Sequence, residues 1–518
     1  MNVTLTGSRR AVPPGATLAG RPEPTLTAEV TVLLRNRTPL APRPGMRLSR
    51  AELTARHGAD PADAEAVTAF AARHDLTVLG TDLARRTMTL SGTLAALSAA
   101  FGVEFGWYDS PAGRHRGREG VISLPADLEP VIDGVFGLDE RPAARPHSSL
   151  ADTTDPAVLS AADIAVLYGF PANSDGTGQT IALIELGGAH RPADTAAYCA
   201  GLGLPVPGIE TISVDGAPTD PGAVPPNNSN SSDSEVALDI QVAAAAAPGA
   251  ALAVYFAPNT ERGFLDVLST AIHDAARNPS VLSISWGAAE ALFTAAAQQA
   301  FDQLFAEAAL LGITVCCSTG DAGSGAGQRD GRAHVELPAS SPHALACGGT
   351  TLTVSSGAIA GEVVWQGQYG SSGGGISEVF GPPGWQRDAS VPACANPGGA
   401  AGRGLPDLAG NADHATAYRI VVAGSSRAVG GTSAVAPLLA ALTARINQTL
   451  GRRAGWIAPL LYNSAVRSVF RPVREGSNGA YRAGEGWNPC TGLGVPDGSA
   501  LLAALTDLIP TTTEEQPG

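Results

Sequence analysis

The sequence runs to 518 residues, 44% hydrophobic and 16% charged, with a formal net charge of -15. It is too apolar for a disordered chain, long enough for more than one domain, and too acidic to favour a nucleic-acid partner. All 33 basic residues are Arg; with no Lys in the chain, Schiff-base chemistry, a Ser–Lys dyad and the phosphate-binding Lys of a P-loop are excluded.

In chain order, residues 1–25 are Pro- and Gly-rich and predict a disordered arm, taken to 27, with no apolar core of a signal peptide. From Thr27 to Arg35 the pattern alternates and is β-rich. Helical stretches follow near 49–57 and 61–74, then strands at 75–80 and 86–91 and a helix at 92–101. Tyr108 to Arg118 is turn-rich, and Val121 to Leu124 is a last short strand. This alternation predicts a small α+β plait over 28–140. Residues 141–157, with Arg141-Pro142, Arg145-Pro146-His147, Ser148-Ser149 and Asp155-Pro156, predict a linker open to proteolysis.

Beyond 158 the texture changes. Four near-continuous apolar, β-rich runs (Thr180–Leu186, Ala251–Phe256, Val281–Ser285, Ile313–Ser318) alternate with helical stretches near 191–202, 235–247, 261–276 and 289–311. Such a pattern predicts a doubly wound α/β domain, its parallel sheet covered on both faces and its site at the carboxyl ends of the strands. Glu185, Trp286-Gly287 and Gly320-Asp321 fall at those ends. After 350 the chain is Gly-rich until Gly430-Gly431-Thr432-Ser433, which turns sharply into an apolar helix; a last helix is predicted near 498–508. The six Cys (199, 316, 317, 347, 394, 490) make no Cys-x-x-Cys pair, so zinc and a disulfide framework are not expected. No run reaches transmembrane length, and no membrane partner is expected.

The Gly-Gly-Thr-Ser turn can present a nucleophilic hydroxyl or merely cap a helix. A nucleophile needs a base, yet no His after 160 stands in the His-Gly-Thr setting of a subtilisin-like triad. The carboxylates say more. Glu235 and Asp239 are four apart and share one face of an otherwise apolar helix. Buried there, the two repel, and one must hold a proton; solvated, they would be an ordinary acidic edge. Asp321 follows a buried strand, where a loop-turn Asp is equally common.

Taken together, Glu235-x-x-x-Asp239, Ser285-Trp286-Gly287, Gly320-Asp321-x-Gly323-Ser324, Ala346-Cys347-Gly348-Gly349-Thr350 and Gly431-Thr432-Ser433-x-x-x-Pro437 match one family. The chain resembles the sedolisins, the serine-carboxyl peptidases, in their kumamolisin-like group, over roughly 28–505. Ile184-Glu185-Leu186-Gly187-Gly188 and Trp487-Asn488-Pro489-Cys490 also fit; Gly430 stands where Ser is common in the family.

The resemblance implies a subtilisin-like fold behind an inhibitory pro-domain, and a peptidase domain over 158–518. It implies an acid-active endopeptidase, optimum roughly pH 3–5, made as a self-processing zymogen. By position, Ser433 is the nucleophile, Glu235 the base, Asp239 its tuning partner and Asp321 a protonated oxyanion donor. Glu185 and Trp286 extend that network behind them. Ser285, Gly287 and Glu336 line the substrate cleft, where Glu336 would favour a basic side chain at the second residue before the scissile bond.

The expected partners are polypeptide substrates and the chain's own pro-domain, with a monomer after maturation and an extracellular or other acidic compartment. No cofactor is needed for the chemistry. The family's structural calcium is expected to be weak or lost, because Pro472 and Asn488 stand where aspartates belong; only Val473, Gly484, Gly486 and Asn488 could still supply oxygens, with Glu475 or Glu485 to compensate. Two rival readings are a neutral His-based subtilisin-like hydrolase, disfavoured by the missing His motif, and a non-catalytic binding protein on a peptidase fold, disfavoured by four filled catalytic positions.

Overall fold

The structure is a computed structural model describing residues 1–12, 15–111, 113–150, 158–220 and 231–509. The part of the linker reading at 151–157 lies outside the described residues.

The larger domain is built on an eight-stranded sheet. Its strands run in the order Ile209–Ser213, Ala251–Phe256, Thr180–Glu185, Val281–Ile284, Thr314–Ser318, Leu345–Ser355, Ala358–Val364, with Leu408–Asn411 pairing beside Leu345–Ser355. All pairings are parallel except that of Ala358–Val364. Strand alternation divides the apolar residues between two cores. Ile181 and Leu183 face Val236, Leu238 and Leu438 on one side; Ala182 and Ile184 face Phe264, Leu268 and Phe301 on the other. Helices Ser231–Ala246 and Val435–Leu450 cover the first face, Glu261–His273 and Ala295–Leu310 the second. This is the expected doubly wound sheet. All six Cys are buried free thiols.

The N-terminal region carries a four-stranded antiparallel sheet, ordered Thr77–Asp82, Thr87–Thr93, Thr27–Leu34, Ile132–Phe136. Helices Arg50–His57, Pro61–Arg73 and Leu94–Phe101 accompany it; the first opens with a capping box, Ser49 with Glu52. Val30, Val32 and Leu34 build its own core, while Leu33 and Phe136 join the second core of the larger domain. Polar anchors complete the interface. Arg86 and Glu307, both essentially unexposed, pair at 3.0 Å, and the Thr31 hydroxyl donates to Asp266 at 2.8 Å.

The disordered arm predicted for 1–27 is corrected by the structure. Asn2–Thr4 pairs with Ser123–Pro125, and Thr17–Gly20 pairs with Phe105–Ser110. Leu5 is 2% exposed, and Arg10 reaches Glu261 at 3.1 Å. These strands span three and four residues, too few for a periodic signal, and they form because distant strands satisfy their backbone groups. The turn-rich stretch 108–118 is a hairpin, Phe105–Ser110 with Gly113–Arg118. The helix predicted over 289–311 begins instead as a strand, Trp286–Ala289, and a 3-10 turn, with the helix proper at Ala295–Leu310.

Candidate active site

Every sequence-predicted catalytic residue lies at the carboxyl ends of the central strands. Ser433 sits in the 3-10 turn Thr432–Ala434 that opens the helix Val435–Leu450. Glu235 and Asp239 project from Ser231–Ala246, Glu185 ends its strand, and Asp321 follows Thr314–Ser318. Glu185, Glu235, Asp239 and Ser433 are each 0% exposed.

Three carboxyls form a buried series. The Trp286 indole N–H donates to Glu185 Oε2 at 3.0 Å, and the Ser285 hydroxyl donates to Asp239 Oδ1 at 2.8 Å. The second oxygen of each of Glu185, Glu235 and Asp239 is buried without a hydrogen-bond partner. Three carboxylates this enclosed repel one another and cannot all be charged. Burial first and the Asp239 charge second push Glu235 well above the usual carboxylate range; burial and Glu185 do the same to Asp239, and burial and Glu235 to Glu185.

Asp321 stands on the other side of the nucleophile. Its Oδ1 accepts from the Thr432 backbone N–H and hydroxyl, both at 2.8 Å. Burial pushes its carboxyl up to about 7, although the His147 imidazole and the Thr432 bonds pull it down. The Thr432 bonds occupy Oδ1 and leave Oδ2 turned into the cleft.

The cleft is filled by the chain itself. Arg145–Pro146 pairs antiparallel with Trp286–Ala289, and Ser149–Leu150 with Ser425–Gly430. Between these two pairings the His147–Ser148 peptide crosses the nucleophile. The Ser433 N–H donates to the His147 carbonyl at 3.1 Å, the His147 N–H donates to the Ser285 carbonyl at 3.1 Å, and the Ser148 hydroxyl donates to Glu235 Oε2. Gly431 has φ +137, and a Cβ there would collide with the His147 carbonyl oxygen and with Asp321 Oδ2. Those two oxygens therefore face one another across a space only glycine leaves open. The arrangement presents one peptide carbonyl to a backbone donor and a carboxyl, with a hydroxyl nucleophile and a second carboxyl beside it.

Glu336 lies beside the segment that fills the cleft. It is 1% exposed and takes Arg145 Nη2 at 2.5 Å and His147 Nε2 at 2.6 Å, while His147 Nδ1 meets the Ser318 hydroxyl at 2.6 Å. Glu336 thus contacts Arg145 and His147 of the segment in the cleft, and not Pro146 between them. Strand alternation is the reason: residues 145 and 147 point to one side and 146 to the other. Gly287 floors this pocket, since a Cβ there would stand 2.8 Å from His147 Cε1. His147 and Ser318 were missed from sequence. The signal available for His147 was its place after Arg-Pro in the linker, an extended dipeptide followed by two serines.

The residues at the family's calcium position do not fit a cation. Asn488 Oδ1 accepts from the Cys490 N–H, the Thr491 N–H and the Thr491 hydroxyl at 3.0–3.2 Å, and its Nδ2 donates to the Val473 carbonyl at 3.3 Å. Glu485 pairs with Arg474 at 2.6 Å. Gly484 is half-buried and Gly486 exposed, and Phe470–Arg471 closes on Val495–Pro496, with Pro472 directly after. Among the described residues no group of three or more His, Cys, Asp or Glu could hold a metal.

Comparison with known proteins agrees with the fold and the pro-domain. Residues 17–141 match the pro-kumamolisin activation domain, and residues 223–479 match the subtilase family. Kumamolisin from Bacillus sp. (strain MN-32) is 45% identical over 508 residues, covering 94% of this chain and 91% of that one. Sedolisin from Pseudomonas sp. (strain 101) is 27% identical, covering 89% and 81%. The solved structure of Pseudomonas sedolisin, a serine-carboxyl proteinase complexed with pseudo-iodotyrostatin, superposes with a TM-score of 0.61 at 28% identity over 69% of this chain and 100% of that one. With a pro-kumamolisin activation domain leading into a subtilisin-like sheet, and that identity sustained over nearly both whole chains, this chain belongs to the kumamolisin group of the sedolisin family, the serine-carboxyl peptidases.

Proposed function

We propose that the chain is an acid-active serine endopeptidase zymogen whose first substrate is its own His147–Ser148 bond. The observation that carries this reading is the 3.1 Å hydrogen bond from the Ser433 N–H to the His147 carbonyl, with the Ser148 hydroxyl on Glu235. In this reading Ser433 Oγ attacks the His147 carbonyl carbon and passes its proton to Glu235, which Asp239 keeps poised through the shared-proton series. The carbonyl π pair moves onto oxygen, where the Ser433 N–H and a protonated Asp321 donate to it. Collapse breaks the C–N bond, and the Ser148 amine leaves with the proton Glu235 held. Water, deprotonated by Glu235, then attacks the acyl carbon, and Ser433 Oγ leaves with the proton that Glu235 returns. Residues 1–147 are thereby proposed as the pro-segment, and the linker proposed over 141–157 supplies the strap. After release the same cleft would accept other polypeptides, in a monomer in an extracellular or other acidic compartment. Among the described residues no helix is long and apolar enough to cross a membrane.

Calcium has no proposed role here: the Asn488 amide ties together the loop where the family's ion would sit. The test of the main reading is acidification of purified precursor, followed by mass spectrometry. Wild type should yield a fragment beginning at Ser148, while Ser433→Ala, Glu235→Ala and Asp321→Ala stay intact at 52.2 kDa. A first cut at another bond, or normal processing by any of the three, would overturn the assignment concerned.

A further inference from the structure

The machinery described so far holds the strap up to the reacting bond. On the far side, the leaving side, one buried side chain touches the strap and belongs to none of it. His414 is 1% exposed and lies in the short 3-10 turn His414–Thr416, whose preceding Asp413 caps Ala415 and accepts from the Thr351 hydroxyl. Its ring packs against Trp365 at 5.9 Å and Tyr369 at 5.2 Å. Its Nε2 stands 2.9 Å from the main-chain carbonyl of Ser149 and 2.9 Å from the Ser149 hydroxyl. A carbonyl only accepts, so Nε2 carries the hydrogen, and the buried Nδ1 has no partner.

Residue 430 is tied to the same feature. A Cβ at Gly430 would stand 2.7 Å from His414 Nδ1 and 2.8 Å from the Ala412 carbonyl. Gly430 is also the strand partner of Ser149. The glycine found where the family often has Ser therefore makes room for this ring beside the strap.

We propose that His414 is a leaving-side anchor: it binds the main-chain carbonyl of the second residue after the scissile bond. The proposal rests on His147–Ser148 being that bond. Because the carbonyl belongs to the backbone, the anchor requires only that the substrate continue at least two residues past the cut, and a Ser hydroxyl there adds a second contact to the same Nε2. It favours internal bonds of polypeptides over bonds close to a C-terminus, and it holds the departing fragment in line while the amine takes up its proton.

The test compares two substrates on matured enzyme, both with Arg-Pro-His before the bond. One ends there in an aminocoumarin amide; the other continues Ser-Ser-Leu to a quencher. The aminocoumarin rate reports the folded, competent fraction, so the quantity read is the ratio of kcat/KM, extended over truncated. His414→Phe, which keeps a ring between Trp365 and Tyr369 but no donor, should lower that ratio about tenfold, the scale of one buried hydrogen bond. His414→Gln, whose amide can still donate, should stay within about threefold of wild type. A His414→Phe ratio within twofold of wild type, with cleavage after His, overturns the anchor alone. Cleavage of the extended peptide at another bond overturns the bond assignment and the anchor with it.

Discussion

On the proposed roles, Asp321 sets the upper limit of the pH range. Its carboxyl donates only while neutral, and burial holds it neutral up to about 7 in the strap-filled cleft. A raised acid is protonated below that value and ionised above it, so the first cut should slow as pH rises through about 7. Asp321→Asn keeps a neutral donor at every pH; processing rates measured from pH 4 to 9 should lose the alkaline fall while dropping in their maximum. A variant that still falls near pH 7 would assign that limb to another group. The Glu336 contacts to Arg145 and His147 carry a prediction about selectivity. Glu336→Gln should cost Arg-Pro-His peptides roughly 2 kcal/mol, about 30-fold in kcat/KM relative to Ala-Pro-Ala peptides, since a buried charge partner is lost. Equal losses on both substrates would show a structural role only. At this scale the sequence is legible where chemistry imposes spacing: Glu235 with Asp239, or Ser433 behind two glycines. It is silent where position depends on a distant segment. The contacts of Glu336 with Arg145 and His147 are of this kind, because nothing local says which way an extended chain turns its side chains.

Among elements, those with long apolar runs were readable. Thr180–Glu185, Ala251–Phe256 and the helix Gly498–Leu508 stand close to where the pattern sets them. The edge strand Ile209–Ser213 and the hairpin Leu345–Ser355 with Ala358–Val364 carry no such signal: Ile209–Ser213 and Ala358–Val364 mix exposed and covered positions without a clean period, and the interior strand Leu345–Ser355 is interrupted by Gly348-Gly349. The loop at Asn488 shows an element held by one side chain. Its amide makes four hydrogen bonds within a buried turn, so Asn488→Ala should cost roughly 2–3 kcal/mol. Asn488→Asp should destabilise as well, by setting a carboxylate against the Val473 carbonyl. Calorimetry of chelator-treated protein is expected to give an unchanged Tm on adding calcium. Micromolar binding with a rise in Tm would show that the ion still has a site.

At the scale of the molecule, the pro-domain is fastened by arginines to carboxylates of the larger domain. Burial alone would raise Glu307, but the Arg86 guanidinium and His273 outweigh it and hold its carboxyl below the usual range. A lowered carboxyl contributes stability above its ordinary value near 4.5 and loses it as pH falls through its folded value. Acid therefore loosens this clamp under the same conditions that keep Asp321 neutral. In a Ser433→Ala background, which stays uncut, Arg86→Ala should lower the neutral-pH Tm by several degrees, because it strands Glu307. It should also shrink the Tm difference between pH 7 and pH 3. An undiminished difference would place the acid sensitivity in other pairs, such as Arg10 with Glu261.

The strap seated between two short pairings also fixes a kinetic order. Enzyme and first substrate are one molecule, so the first cut should be unimolecular, its half-time unchanged on hundredfold dilution; cutting between molecules would slow in proportion. The chain carries no Lys, so each cut adds an α-amine to a background with no side-chain amines. An amine-reactive dye can count those events directly, and a half-time that lengthens on dilution would mean the strap is released before it is cleaved.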